Sequence, residues 1–248
     1  MRRTVLITGA SSGLGWGMAL EFAARGYDLA LCARRAERLE ALRQELEVEN
    51  PGSRVEIEQL DVRDPDAVFN VFRSFRDAFG GLDRVIVNAG IGKGQPLGTG
   101  YAHANRETAE TNFVAALTQC EAALEIFRAQ DAGHLVVMSS VGGFRGLPGS
   151  MATYAATKAG IASLAEGVRI ELRGSPIRVS TIFPGYIRSA INEDLRRTPF
   201  IVDAETGCRL LVRAIEREPE TACVPAWPWA PIGWLLRNLP RSLAARMV

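Results

Sequence analysis

Thr4-Val5-Leu6-Ile7-Thr8-Gly9-Ala10-Ser11-Ser12-Gly13-Leu14-Gly15 follows the first three residues of the chain. β-Branched and apolar residues fill positions 4–8, then three glycines and two serines lead into a helical pattern from residue 13. A strand that turns through glycine into a helix presents the first helical amides to whatever lies in the turn. Such an end attracts phosphate, glycine lets the backbone approach a pyrophosphate closely, and Ser11 and Ser12 add hydroxyl donors. The stretch therefore predicts an α/β fold built around a phosphate loop, with Gly9, Ser11, Ser12, Gly13, Leu14 and Gly15 at the ligand.

The alternation of strand and helix continues along the chain. Strand-length apolar runs lie near 4–9, 28–33, 54–60, 83–88, 133–139, 177–183 and 221–224. Between them, 3.6-residue periodicity fits helices near 13–25, 35–49, 65–79, 108–130, 152–173 and 203–217. Runs such as Leu29-Ala30-Leu31-Cys32-Ala33 are apolar throughout, which suits strands buried on both faces of a parallel sheet. The expected architecture is one Rossmann-like, doubly wound parallel sheet of about seven strands flanked by helices, a single domain over residues 1–248 with no linker to divide it. Ligands of such sheets bind at the carboxyl ends of the strands.

Composition narrows the partners. A formal net charge of +1 lacks the basic excess of a nucleic-acid binder, so no nucleic acid is expected. Cys32, Cys120, Cys208 and Cys223 form no CxxC, and only His103 and His134 could help them, so no metal site is expected and the thiols read as free and buried in a reducing compartment. Only Met-Arg-Arg precedes the first strand, which predicts no signal peptide and a cytoplasmic protein.

Of 29 basic side chains only two are lysines, and one of them, Lys158, lies four residues after Tyr154. On a helix that spacing stacks both side chains on one face. An ammonium beside a phenol favours the phenolate and lowers the tyrosine pKa toward values useful for proton transfer, a task to which arginine's planar fork is poorly suited.

Thr8-Gly9-Ala10-Ser11-Ser12-Gly13-Leu14-Gly15 reads TGxxxGxG, and with Asn88-Ala89-Gly90 and the Tyr154/Lys158 pair it resembles the short-chain dehydrogenase/reductase family over most of residues 4–189. The resemblance implies hydride transfer between a nicotinamide cofactor and a ketone or secondary alcohol. Tyr154 would protonate the alkoxide, Ser140 would hydrogen-bond the same oxygen, Lys158 would tune Tyr154 and hold the nicotinamide ribose, and Asn112 would keep a water for proton relay. The family serine usually stands thirteen residues before the tyrosine, where this chain has Val141. Ser140, fourteen before, is aligned as catalytic with an extra residue placed in Leu147-Pro148-Gly149-Ser150-Met151; Ser139 is the alternative.

By the same resemblance Asp61 and Val62 contact the adenine, Asn88, Ala89 and Gly90 the adenosine side, and Pro184, Gly185, Ile187 and Ser189 the carboxamide end. The second strand ends at Ala33-Arg34-Arg35, where an acid would bind a ribose 2′-hydroxyl and an arginine accommodates a 2′-phosphate. Asp28 opens that strand, too early to reach the ribose, so the cofactor is expected to be NADP(H). Relatives usually form a homodimer or homotetramer through helices equivalent to 108–130 and 152–173. Two other functions stay open: a ketoacyl reductase of lipid or polyketide metabolism, for which Arg188, Arg196 and Arg197 could form a basic patch, and a non-catalytic NADP(H)-binding regulatory protein, against which the intact Tyr154/Lys158 pair argues.

Two segments fall outside this pattern. Residues 190–203 are polar and arginine-rich and read as a candidate helical lid over the substrate. Residues 226–248 form an apolar extension with three of the four tryptophans, suited to packing or an oligomer seam, to an apolar substrate wall, or to peripheral membrane contact. The extension favours an apolar substrate. Trp16, at the start of the first helix, has no role in the sequence reading.

Overall fold

Apolar runs bury themselves as seven strands: β1 Thr4–Thr8, β2 Asp28–Ala33, β3 Val55–Gln59, β4 Arg84–Val87, β5 Gly133–Met138, β6 Ile177–Pro184 and β7 Thr221–Val224. All neighbours pair in parallel, in the order β3-β2-β1-β4-β5-β6-β7. The computed structural model describes residues 3–189 and 199–240.

The helices are α1 Gly13–Ala24, α2 Ala36–Glu49, α3 Pro65–Phe79, α4 Ala102–Ala109, α5 Ala115–Gln130, α6 Ala152–Glu171, α7 Ala204–Ile215 and α8 Ala226–Asn238. Alternation along each strand splits the core into two layers. Val5, Ile7, Leu29 and Leu31 face Met18 and Phe22 of α1, Leu42 of α2 and Leu211 of α7. Leu6, Ala30, Cys32 and Val85 face Phe72 of α3, Phe127 of α5 and Ile161 of α6. Both faces of the sheet are covered, which is why its strands are apolar at successive positions. Helix starts follow local chemistry: the Asp64 carboxylate accepts from Ala67 N at 3.1 Å with Pro65 in the first turn, and Asp203 accepts from Thr206 N at 2.7 Å.

Three boundaries differ from expectation. The helix expected from residue 108 begins at Ala102, because its first eight residues, Ala-His-Ala-Asn-Arg-Glu-Thr-Ala, are too polar to carry an apolar period. A single π turn, Glu110–Val114, joins α4 to α5. The extension from residue 226 contains α8, whose pattern was hidden by apolar residues on both its faces. Of the expected lid, residues 190–198 lie outside the described residues. Residues 199–203 are no lid helix: Val202 bridges Ile187, and Asp203 already caps α7.

The amino edge of the sheet holds a buried polar cluster far from the carboxyl ends. Arg84 Nε donates to His134 Nδ1 at 2.8 Å, so the ring proton sits on Nε2 and is donated to Ser180 Oγ at 2.7 Å; Ser180 in turn donates to the Pro219 carbonyl. Burial, with the Arg84 charge beside it, pushes the His134 pKa down to about 3, so this imidazole is neutral. His134 is thus a structural residue, and among the described residues no group of His, Cys, Asp and Glu could hold a metal.

Candidate active site

The winding direction of the sheet reverses between β1 and β4, and a crevice opens at their carboxyl ends. Thr8 stitches the two strands together there. Its hydroxyl accepts from Asn88 N and Ala89 N, both at 3.1 Å, while Asn88 Nδ2 donates to the Thr8 carbonyl at 2.9 Å. Gly9 turns the chain at φ +68°, and a Cβ on it would stand 2.9 Å from Ala89 Cα. A Cβ on Gly15 would stand 2.4 Å from the Gly9 carbonyl oxygen, so only glycine lets α1 start this close to the strand end. Ser12 caps α1 by position but makes no side-chain cap bond, which leaves the first-turn amides of a 12-residue helix turned to the crevice.

At the end of β2, Arg35 reaches back over the loop. Its Nη2 donates to Ser12 Oγ at 2.8 Å and to Ser11 Oγ at 3.0 Å. Asp61 is clamped by Arg63, at 2.6 Å from Nη2, and this bond, aided weakly by the Arg34 charge, holds its carboxyl below the usual range. Asp28 lies at the opposite edge, where its carboxylate accepts from Arg54 N. The β2 carboxyl end thus carries two guanidiniums and no acid.

Across the crevice, β5 delivers two serines to different places. Ser139 is buried and donates to the Lys158 carbonyl at 2.7 Å, a structural bond that ties β5 to α6. Ser140 faces the cavity, accepts from Gly142 N at 3.1 Å and lies near enough to the Tyr154 phenol to lower its pKa. The pair forms despite the one-residue shift in spacing, because the loop between them closes through two 3₁₀ turns, Val141–Gly143 and Gly149–Met151.

Tyr154 and Lys158 share one face of α6, but their electrostatics differ from expectation. Burial raises the Tyr154 pKa, the Ser140 hydrogen bond lowers it, and nearby Tyr186 raises it. Lys158 gives its hydrogen bond to the Met138 carbonyl at 2.8 Å, with its ammonium 5.9 Å from the centre of the Tyr154 ring. Its own pKa falls to about 8 through burial. Burial thus governs the phenol, and the expected lowering by Lys158 does not accompany it.

Asn112 lies in the π turn, the kind of wide turn that recurs at functional sites. Its Oδ1 accepts from Ile91 N and its Nδ2 donates to the Ile91 carbonyl, both at 2.8 Å, with Thr157 Oγ1 at 3.5 Å. Both amide protons are spent, so for a relay water the side chain offers one lone pair only. Its visible work is to brace the loop after β4.

One cavity of about 350 Å³ joins these parts. It is lined by Gly9, Ser11 to Leu14, Arg34, Arg35, Asp61, Val62, Asn88 to Gly90, Ser140, Tyr154, Lys158, Pro184, Gly185, Ile187 and Ser189, with Gly15 and Asn112 supporting from behind. Lining residues not expected from the sequence include Arg63, Leu147, Met151 and Tyr186. Arg63 follows Asp61-Val62 and could have been suspected from that position; the apolar three carry no local signal.

The sequence profile described as short chain dehydrogenase matches residues 3–199. The chain belongs to the short-chain dehydrogenase family. This short-chain dehydrogenase is 53% identical to an uncharacterized oxidoreductase of Mycobacterium tuberculosis over 99% of this chain and 97% of the relative. An alcohol dehydrogenase from Thermococcus sibiricus, solved with 5-hydroxy-NADP, superposes with a TM-score of 0.79 at 26% identity, covering 90% of this chain and 96% of that one. A family member from Burkholderia phymatum, solved with NAD, gives a TM-score of 0.85 over 96% of this chain and 93% of the other; at 22% identity it speaks for the fold alone. The short-chain dehydrogenase is thus an oxidoreductase of a family that uses nicotinamide dinucleotides, and its glycine cradle, open α1 amides and serine hydroxyls fit such a group. Among its described residues, no helix is long and apolar enough to cross a membrane.

Proposed function

We propose that this protein is an NADP(H)-dependent reductase or dehydrogenase of apolar ketones and secondary alcohols. The observation that carries it is the convergence of the Ser140/Tyr154/Lys158 group and the arginine-flanked phosphate loop on one cavity. When bound, NADP(H) supplies or accepts the hydride. Tyr154, its pKa raised by burial, keeps the proton to be given to a substrate oxygen through neutral pH. Ser140, beside the phenol, donates its proton in a hydrogen bond to that oxygen and stabilises the charge growing on it. Lys158 holds a positive charge beside them and orients the ribose. Asn112 fixes the floor through Ile91. Leu147, Met151 and Tyr186 give the substrate end of the cavity its apolar character. The test is NADPH oxidation against a panel of lipophilic ketones; binding of NADPH without turnover across a broad panel would favour a regulatory role.

Cofactor choice rests on Arg34 and Arg35. Replacing both with alanine is expected to weaken NADPH binding by about 10- to 100-fold, the loss of a charge-assisted phosphate contact, with NADH nearly unaffected. Titration of both cofactors by fluorescence checks it, and equal losses for the two would count against a 2′-phosphate site.

Lys158 sets an alkaline limit. A cation whose folded pKa is lowered to about 8 is charged below that pH and loses its charge above it. For ketone reduction, kcat/KM, which reports the free enzyme, is expected to fall with a midpoint near pH 8, before Tyr154 loses its proton. A flat profile to pH 10 would separate Lys158 from turnover.

A further inference from the structure

Helix α8 wears its apolar side outward. Pro228, Trp229 and Gly233 are buried, with Trp229 against Gly185 and Gly233 against Phe144, while Ala230, Pro231, Trp234 and Leu235 face out at helical spacing, preceded by Trp227. Trp227 is 79% exposed and Trp234 68%. A surface helix ordinarily keeps polar residues on that face. Phe200, likewise exposed, packs edge-on against Trp229, which rests against Gly185 of the cavity lining.

Charge decides what such a face meets. Residues 226–248 hold Arg237, Arg241 and Arg246 and no Asp or Glu, in a chain whose total formal charge is only +1. Tryptophans beside arginines, without acids, match the polar–apolar boundary of a bilayer rich in anionic lipid. A second copy fits less well, because a two-fold contact through this face would bring two acid-free, arginine-bearing C-terminal segments together.

We propose that α8 docks the protein on an anionic lipid surface, lying in the interface with Trp227 and Trp234 inserted. Because Trp229 of the same helix lies against Gly185 of the cavity wall, docking would bring that wall close to the bilayer and an apolar substrate within reach of it; that consequence, unlike the docking, rests on taking the cavity as the substrate site. The experiment therefore reads binding alone, with neither cofactor nor ketone present. Full-length protein is sedimented with vesicles of phosphatidylcholine and with vesicles that also contain phosphatidylglycerol. Wild type is expected to partition about tenfold more onto the anionic vesicles, and the double variant Trp227→Ser/Trp234→Ser to lose that gain. Both tryptophans lie outside the core clusters, so an unchanged Tm will certify the variant's fold. Absence of vesicle binding, equal binding to neutral and anionic vesicles, or undiminished binding of the variant would overturn the proposal. So would a wild type that ignores vesicles while the variant changes mass on size-exclusion chromatography with light scattering, which would assign the face to a second copy.

Discussion

Phenylalanine in place of Tyr154 is expected to lower kcat by about 10²- to 10⁴-fold, the usual worth of a positioned general acid, while NADPH binds with nearly unchanged affinity. The ring would remain, so packing on α6 and the approach of Lys158 to its face are preserved; only the hydroxyl is removed. Ser140→Ala is expected to cost a comparable factor, because the same hydroxyl that steadies Tyr154 faces the substrate oxygen. Since the two groups act as a unit, the double variant should be little worse than the weaker single one. Stopped-flow reduction of a lipophilic ketone, paired with equilibrium titration of NADPH, separates chemistry from binding. Near-normal turnover by Tyr154→Phe would remove Tyr154 from the mechanism and with it the assignment of the site.

Gly185→Ala is expected to destabilise the protein and disturb the wall of its cavity. The added carbon would stand 2.1 Å from Trp229 Nε1 and 2.3 Å from Cδ1, far inside contact distance. Trp229 cannot swing away cheaply: it is 6% exposed, meets Tyr186 edge-on at 5.4 Å, and is carried on a helix pinned by Arg145, which donates to the Leu236 and Leu239 carbonyls. Overpacking of this kind costs about 1–3 kcal/mol or more, and for a chain of this size each kcal/mol lowers Tm by roughly 2–4 °C. A drop of several degrees and a raised KM are expected, because Tyr186 lines the cavity. Combined with Trp229→Ala it should cost less than the sum of the two single changes, since neighbours in contact are not additive. A Gly185→Ala protein that melts like wild type would show that Trp229 does not rest on Gly185 in solution.

The contrast between what was legible in the sequence and what was not follows the range of the interactions. The glycine loop, the strand ends and the Tyr154/Lys158 spacing are local patterns, and the seven strands fell within a residue or two of their observed bounds. Spacing ranks Ser140 ahead of Ser139 but does not reveal that the loop turns one hydroxyl to the cavity beside Tyr154 and the other to the Lys158 carbonyl. Trp16 had no role in the sequence because its partner is on another helix: the Arg38 guanidinium of α2 lies over its ring at 4.8 Å. The electrostatics of Tyr154 were misjudged for a similar reason. Spacing revealed the cation but not the depth of burial, and burial governs the phenol.

The scarcity of lysine has a practical outcome. Lys158 is 7% exposed, whereas Lys93, 59% exposed, sits at the surface beside Glu107. An amine-selective acylating reagent therefore meets, among side chains, one open target and one shielded target on an otherwise silent background. Mass spectrometry of the two labelled peptides turns Lys93 into an internal standard and Lys158 into a reporter of how often the cavity floor opens to solvent.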